Sequence, residues 1–340
     1  MKRIALVFFV LAACTLSAQA QNKPVLMWKL LPNEEVRSCA VSPDNKIVAA
    51  PGKSKVFLWK IATGEALESL RGGHEGEVAQ LVFSPDSKQL AIGGEDATIR
   101  IWDISTSQEV RKLEGHKEEI TSMLFSKDGK QLVTGSVDKT IRIWNLDDGK
   151  LVRTIEGLTF PAIQLALKNE GKLLVSIGAT KGSYWDDDRA EYTEVSQWDT
   201  DSGELQQTVT LTGFTSPLCL GSDGETLVGI GRVPASRTNP DVTRQRIRIY
   251  KIAKGEFFET PDSISGEYNF RTPQSMRLAD NLKFLAIASD YGISFWGGSA
   301  DEKISTTTGW IGVTSFELCA DNRTFALTNS EFEVHIWRFP

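Results

Sequence analysis

Ile99-Arg100-Ile101-Trp102-Asp103 and Ile141-Arg142-Ile143-Trp144-Asn145 are one five-residue pattern written twice, 42 residues apart. Variants recur at Val56-Phe57-Leu58-Trp59, Val195-Ser196-Gln197-Trp198, Ile247-Arg248-Ile249-Tyr250, Ile293-Ser294-Phe295-Trp296 and Val334-His335-Ile336-Trp337. Apolar residues two apart, closed by a large aromatic, suit a strand that is covered by a neighbour on each face. Ahead of each strand lies a polar turn, for example Ser42-Pro43-Asp44-Asn45-Lys46, Ser84-Pro85-Asp86-Ser87-Lys88 and Ser126-Lys127-Asp128-Gly129-Lys130. Asp, Asn, Gly and Pro fit such turns because they tolerate tight backbone angles or hydrogen-bond their own backbone. Seven turns precede seven strands in register, and the first four acidic turn positions, 44, 86, 128 and 170, stay 42 residues apart. A period of this size marks a repeat array.

The 340-residue chain is 24% charged and 41% hydrophobic, with nine Trp and sixteen Phe. That is the profile of a folded soluble domain with an ample core. The first twenty residues differ from the rest. Lys2-Arg3 precedes an apolar run from Ile4 to Leu16, and Ala18-Gln19-Ala20 is a small-x-small cleavage site, so residues 1–20 read as a signal peptide and 21–340 as the exported domain. An alternative is Leu11-Ala12-Ala13-Cys14, which resembles a bacterial lipobox and would make the protein an envelope lipoprotein anchored through Cys14. No later run approaches the roughly 20 apolar residues of a membrane-spanning helix. Without residues 1–20 the chain has 36 basic and 44 acidic residues, a net charge of −8, which disfavours nucleic acid as a partner. Cys39, Cys219 and Cys319 fall in or beside first strands of different repeats and read as small buried hydrophobes rather than a disulfide framework.

Gly73-His74 with Ile101-Trp102-Asp103, and Gly115-His116 with Ile143-Trp144-Asn145, resemble the GH and WD marks of WD-repeat proteins. The resemblance, here to a bacterial exported member, spans residues 24–340 and weakens after the third repeat, where Leu158 stands in the His position. It implies a seven-bladed β-propeller of four-stranded antiparallel blades. The chain ends just after the third strand of its last repeat, and Pro24-Val25-Leu26-Met27-Trp28-Lys29-Leu30 has the composition of the missing strand. The N-terminal strand is therefore expected to close the last blade. The resemblance also implies that His116, Thr134, Asp138 and Trp144 form a buried structural hydrogen-bond network rather than a catalytic triad. The second repeat has His74, Asp96 and Trp102 but Ile92 in place of the hydroxyl, so its network is interrupted. Three histidines, one of them His335 on a strand, give no support for a zinc site, and no cofactor is implied.

Repeats four and five are lengthened between their second and third strands. The fourth carries 178–194, with Tyr184, Trp185, Asp186, Asp187, Asp188 and Tyr192; the fifth carries 231–245, with Arg232, Arg237 and Arg244. Loops at those positions emerge on one face of a propeller, so an acidic aromatic loop would stand beside a basic one. These nine residues are the partner-binding candidates, because long loops on a rigid scaffold are where binding resides. They could equally pair with each other. Calcium at Asp186–Asp188 would need more oxygen ligands than one short run supplies. The expected function is a non-catalytic, monomeric scaffold that binds a protein partner, or a glycan, outside the cytoplasm. The alternatives are a hydrolase-like enzyme with its site over the central channel and a lipid-anchored structural protein of the envelope.

Overall fold

The computed structural model describes residues 24–32, 34–53, 55–71, 73–179, 192–236, 239–259, 273–278, 284–289, 292–297, 303–308, 312–321 and 323–339. They form seven four-stranded antiparallel sheets. Blade 1 is Ala40–Val41, Ile47–Pro51, Lys55–Lys60 and Leu70–Arg71; blade 2 is Val78–Phe83, Gln89–Gly94, Ile99–Asp103 and Gln108–Leu113. Blade 3 is Ile120–Phe125, Gln131–Ser136, Ile141–Asn145 and Leu151–Ile155; blade 4 is Ala162–Lys168, Leu173–Ala179, Tyr192–Asp199 and Leu205–Thr212. Blade 5 is Phe214–Leu220, Thr226–Ser236, Asn239–Lys251 and Glu256–Glu259; blade 6 is Pro273–Leu278, Phe284–Ser289, Gly292–Gly297 and Lys303–Thr308. Blade 7 takes Val313–Leu318, Thr324–Asn329 and Val334–Arg338 from the end of the chain and Val25–Leu30 from its beginning. No helix among the described residues is long and apolar enough to cross a membrane.

The first strands of successive blades touch one another around a closed ring. Those of blades 1, 2, 6 and 7 wall a central cavity of about 430 Å³. Fourth strands such as Gln108–Leu113 and Leu205–Thr212 are mostly exposed and lie outermost. Seven hydrophobic clusters fill the seven seams between blades. The repeated strand motif explains how. Ile99 and Ile101 pack toward blade 3 while Trp102 packs toward blade 1. Ile141 and Ile143 pack toward blade 4 while Trp144 packs toward blade 2. One strand thus supplies core to two seams, which is why its apolar residues alternate and its aromatic breaks step.

The polar turns are tied by their own side chains. In blade 1 Ser42 Oγ donates to Asp44 Oδ1 (2.7 Å) and accepts from the Ile47 N–H (2.9 Å). Blades 2 and 3 repeat this with Ser84–Asp86 and Ser126–Asp128. Blades 5 and 7 lack the serine, and Asp223 and Asp321 cap Thr226 and Thr324 instead.

Closure rests on four kinds of contact. Val25–Leu30 pairs antiparallel with Val334–Arg338, from Val25↔Arg338 to Leu30↔Val334. Leu30 enters the core between blades 7 and 1. Lys29 Nζ lies 2.6 Å from Glu333, a buried carboxylate that also accepts from Asn329 Nδ2 (3.1 Å) and His335 Nε2 (2.9 Å). Trp28 reaches over the next blade: its indole N–H donates to Ile61 O (3.0 Å), and its ring lies so close to Gly64 that a Cβ there would sit 2.8 Å from it. Arg111 to Asp147 O (2.9 Å) and Arg153 to Ser202 O (2.8 Å) are equivalent straps from blade 2 to 3 and from 3 to 4. The closing strand therefore does for the 7–1 seam what a continuous chain does elsewhere.

Cys39 and Cys319 lie in the 7–1 seam and Cys219 in the 5–6 seam. All three are buried free thiols. Burial pushes the Cys39 thiol up to about 12, so it packs as a neutral hydrophobe.

Candidate functional site

The structure brings His116, Thr134, Asp138 and Trp144 together in blade 3. Trp144 Nε1–H donates to Thr134 Oγ1 (2.9 Å), the Thr134 hydroxyl meets His116 Nε2 (2.8 Å), and His116 Nδ1 meets Asp138 Oδ2 (2.9 Å). An ionised carboxylate only accepts, so the imidazole presents Nδ1–H to Asp138; in the neutral ring Nε2 then accepts, and Thr134 donates to it while accepting from the indole N–H. Burial lowers the His116 pKa, in spite of Asp138 beside it, in agreement with a neutral ring. Burial alone would raise Asp138, but hydrogen bonds from Thr140, the Lys117 N–H and His116 bring it down to about 2. Thr134 and His116 are buried, so the set braces the interior of blade 3.

Blade 2 holds half of the same arrangement. His74 Nδ1 meets Asp96 Oδ1 (2.9 Å), and Asp96 also accepts from Thr98 and the Glu75 N–H. Ile92 occupies the hydroxyl position, and His74 Nε2 and Trp102 Nε1 are buried without partners. In blade 4 the other half survives: Trp198 Nε1–H donates to Ser176 Oγ (2.8 Å), and buried Leu158 replaces the imidazole. These differences predict opposite effects for reciprocal substitutions. Thr134→Val should cost about 2–4 kcal/mol, because it orphans two buried groups that are now satisfied. Ile92→Thr should gain about 1 kcal/mol, since satisfying two existing orphans outweighs roughly 1 kcal/mol of lost methyl burial. Urea unfolding of both variants measures the contrast.

Sequence reading missed a partnership that runs through the third strands. Arg100 donates to Gly73 O (2.5 Å) and to Glu109 (2.7 Å), and its guanidinium lies where a Cβ on residue 73 would be. Arg142 passes Gly115 in the same way, with its guanidinium carbon 6.0 Å from the Trp144 ring centre. A side chain on the glycine before each histidine would have to displace an arginine some 27 residues later in the chain, and the positive φ of Gly73 (96°) and Gly115 (150°) favours glycine in its own right. The signal was the recurring Ile-Arg-Ile.

The partner-binding candidates are distributed differently from expectation. Tyr184, Trp185, Asp186, Asp187, Asp188 and Arg237 lie outside the described residues. Gly178, Ala179 and 192–194 are strand rather than loop, paired Gly178↔Glu194 and Ala179↔Thr193. Tyr192, 38% exposed, opens that strand on the face it shares with Trp198, which packs toward blade 3 and away from blade 5. The expected basic loop 231–245 is a correction too. It is a β-hairpin that prolongs blade 5, with Arg232 opposite Gln245 and Arg244 opposite Val233. Cross-strand pairs share a face, so Arg232 and Arg244 fall on opposite faces of that hairpin. Backbone hydrogen bonding between the two strands wins over an irregular path because it satisfies the donors and acceptors of a long excursion.

On the opposite face, between the turns of blades 3, 4 and 5, a groove of about 1180 Å³ is lined by residues including Lys127, Lys130, Val152, Glu170 and Lys172. Its charges are of both signs, and Lys168 pairs with Glu225 (3.1 Å). Among the described residues no group of three His, Cys, Asp or Glu is placed to hold a metal ion.

Residues 64–103 and 107–145 match the family model "WD domain, G-beta repeat". These stretches hold the third strands of blades 2 and 3 and reach the turn that follows Trp59. A Periodic tryptophan protein 2 homolog of Schizosaccharomyces pombe is 46% identical over 70 residues, 20% of this chain and 8% of that protein. The Target of rapamycin complex subunit wat1 of the same yeast is 34% identical over 73 residues, 21% of this chain and 23% of its own. A Serine-threonine kinase receptor-associated protein of Gallus gallus is 34% identical over 74 residues, 22% of this chain and 21% of its own. The chain thus spans less than a quarter of each of these relatives. The stretches matched are thus similar to WD40 repeats, and they lie within the first three of the seven four-stranded blades.

Proposed function

We propose that the chain is a non-catalytic scaffold that binds a protein partner on the face where the second and third strands of blades 4 and 5 are connected. One observation carries this reading. Blades 2 and 3 close that connection with short turns after Gly94 and Ser136, whereas blade 5 sends out a paired hairpin to Ser236 and blade 4 an excursion from Ala179 to Tyr192. Additions to one sector of an otherwise regular scaffold are where specificity is placed. The names of two relatives, a complex subunit and a receptor-associated protein, speak of assembly with other proteins and lend support to a protein partner. The leader-like residues 1–20 support a place outside the cytoplasm, with a lipid anchor at Cys14 as the alternative, and the mass of the mature N-terminus distinguishes them.

The test is affinity capture from the native source with wild-type protein and with a variant lacking 184–191. Loss of specific partners from the variant, at unchanged melting temperature, is the expected result. Identical partners in both samples would remove this sector from the function.

A further inference from the structure

We propose that the projecting β-arm of blade 5 docks an acidic segment of the partner in extended conformation. This rests on the protein-binding reading above and specifies its chemistry. The arm is long. Pairing between Thr226–Ser236 and Asn239–Lys251 runs from Thr226↔Lys251 to Ser236↔Asn239, whereas pairing with the first strand ends at Phe214↔Gly231. At a rise of about 3.3 Å per residue, the five residues beyond Gly231 carry the arm about 16 Å past the first strand.

The arm is also basic in an acidic chain. Residues 226–251 contain five arginines and one lysine against Asp241 alone, while the whole chain carries −6. Arg244 and Arg246 are two apart on one strand and so lie on one face, which they share with Tyr250; Arg248, between them and Tyr250, stands cross-strand from Glu259 in the body of the blade. Tyr250 packs in the seam with blade 4, so this is the blade-4 side of the arm. Positions two apart on a strand repeat every 6–7 Å or so, the same repeat as alternate residues of any extended chain laid beside it. A partner segment with acidic residues at every second position therefore meets the arginine row in register. Opposite charges facing across strands stabilise such pairing.

Fluorescence anisotropy on the full chain tests this with two labelled peptides, one alternating Glu and Thr and one alternating Lys and Thr. The Glu peptide should bind at low salt, weaken about tenfold by roughly 0.3 M salt, and lose at least about tenfold in affinity in R244E/R246E. R244Q/R246Q should show an intermediate loss, which keeps the test valid if charge reversal impairs folding. K127E/K130E, on the opposite face, should bind as wild type. Failure of the Glu peptide to bind, equal binding of the Lys peptide, or indifference to the Arg244 and Arg246 changes would overturn the proposal. Such a failure combined with loss of captured partners on deletion of 184–191 would leave the broader function standing and remove only the arm.

Discussion

Deletion of residues 22–31 is expected to abolish cooperative folding, leaving a chain that aggregates or stays expanded at room temperature. The segment is short, but everything it contributes is non-local. Its loss strips the third strand of blade 7 of its pairing partner and opens the 7–1 seam that Leu30 helps to fill. It also leaves the buried Glu333 without Lys29 and removes the Trp28 bond to blade 1. An open ring exposes an unpaired strand edge, a template for association with other chains. Each blade relies on its neighbours for burial, so the damage is not confined to one seam. The combined cost exceeds the ~5–15 kcal/mol by which domains are ordinarily stable. Circular dichroism and urea melts of the truncated protein measure it, and a synthetic peptide of residues 22–31 should restore the transition. Trp28→Ala alone should cost about 1–2 kcal/mol, because it removes a half-exposed ring lying on Gly64 together with its hydrogen bond to Ile61. A truncated protein with a cooperative melt at the wild-type temperature would show that the ring does not depend on its closing strand.

The second large effect is expected at Asp138. Asp138→Ala should cost about 2–4 kcal/mol, because it leaves the buried His116 N–H without its acceptor and removes the hydrogen bonds from Thr140 and the Lys117 N–H. The network also acts as a unit. Thr134 orients the imidazole that Asp138 holds from the other side, so the double variant Asp138→Ala/Thr134→Val should cost less than the sum of its parts, by more than about 0.5 kcal/mol. The corresponding pair in blade 2, Asp96→Ala with Ile92→Val, should be additive, since no hydroxyl links the two positions.

Acidification should weaken the same blade in two stages. His116 stays neutral in the fold while the unfolded chain takes up a proton near its ordinary pKa of about 6.5. Its contribution is therefore complete above that pH and declines below it. Asp138 titrates near about 2 in the fold and near about 3.9 when unfolded, so its contribution is present above about pH 4 and is lost as the pH falls toward 2. Urea midpoints followed from pH 7 to 5 should fall less steeply in His116→Gln than in the parent.

Much of this was legible in the chain itself. Blade number, strand order, closing strand and the blade 3 network all announce themselves through local pattern. A strand buried on two faces alternates and ends in an aromatic, a tight turn favours Asp or Gly, and Val25–Leu30 has the composition of a strand. The interruption at Ile92 was legible for the same reason, since a methyl cannot donate or accept. The blade 5 arm was not, because Pro234 and Pro240 and the polar residues between them have the composition of a loop. Only its pairing, from Arg232↔Gln245 to Ser236↔Asn239, makes it a hairpin.

What the chain could not disclose was which side of a strand meets which neighbour. That Tyr192 turns toward blade 3 while the row through Arg244 and Arg246 shares the blade 4 side with Tyr250 depends on strand register and on what packs across the seam. Likewise, Gly73 and Gly115 could be recognised as marks, but their positive φ and the guanidinium groups of Arg100 and Arg142 lying over them are set by the fold. Periodicity is a property of neighbours along the backbone and survives in the bare sequence. Facing, orphaned donors and close approach belong to neighbours in space, and these exist only once the ring has closed.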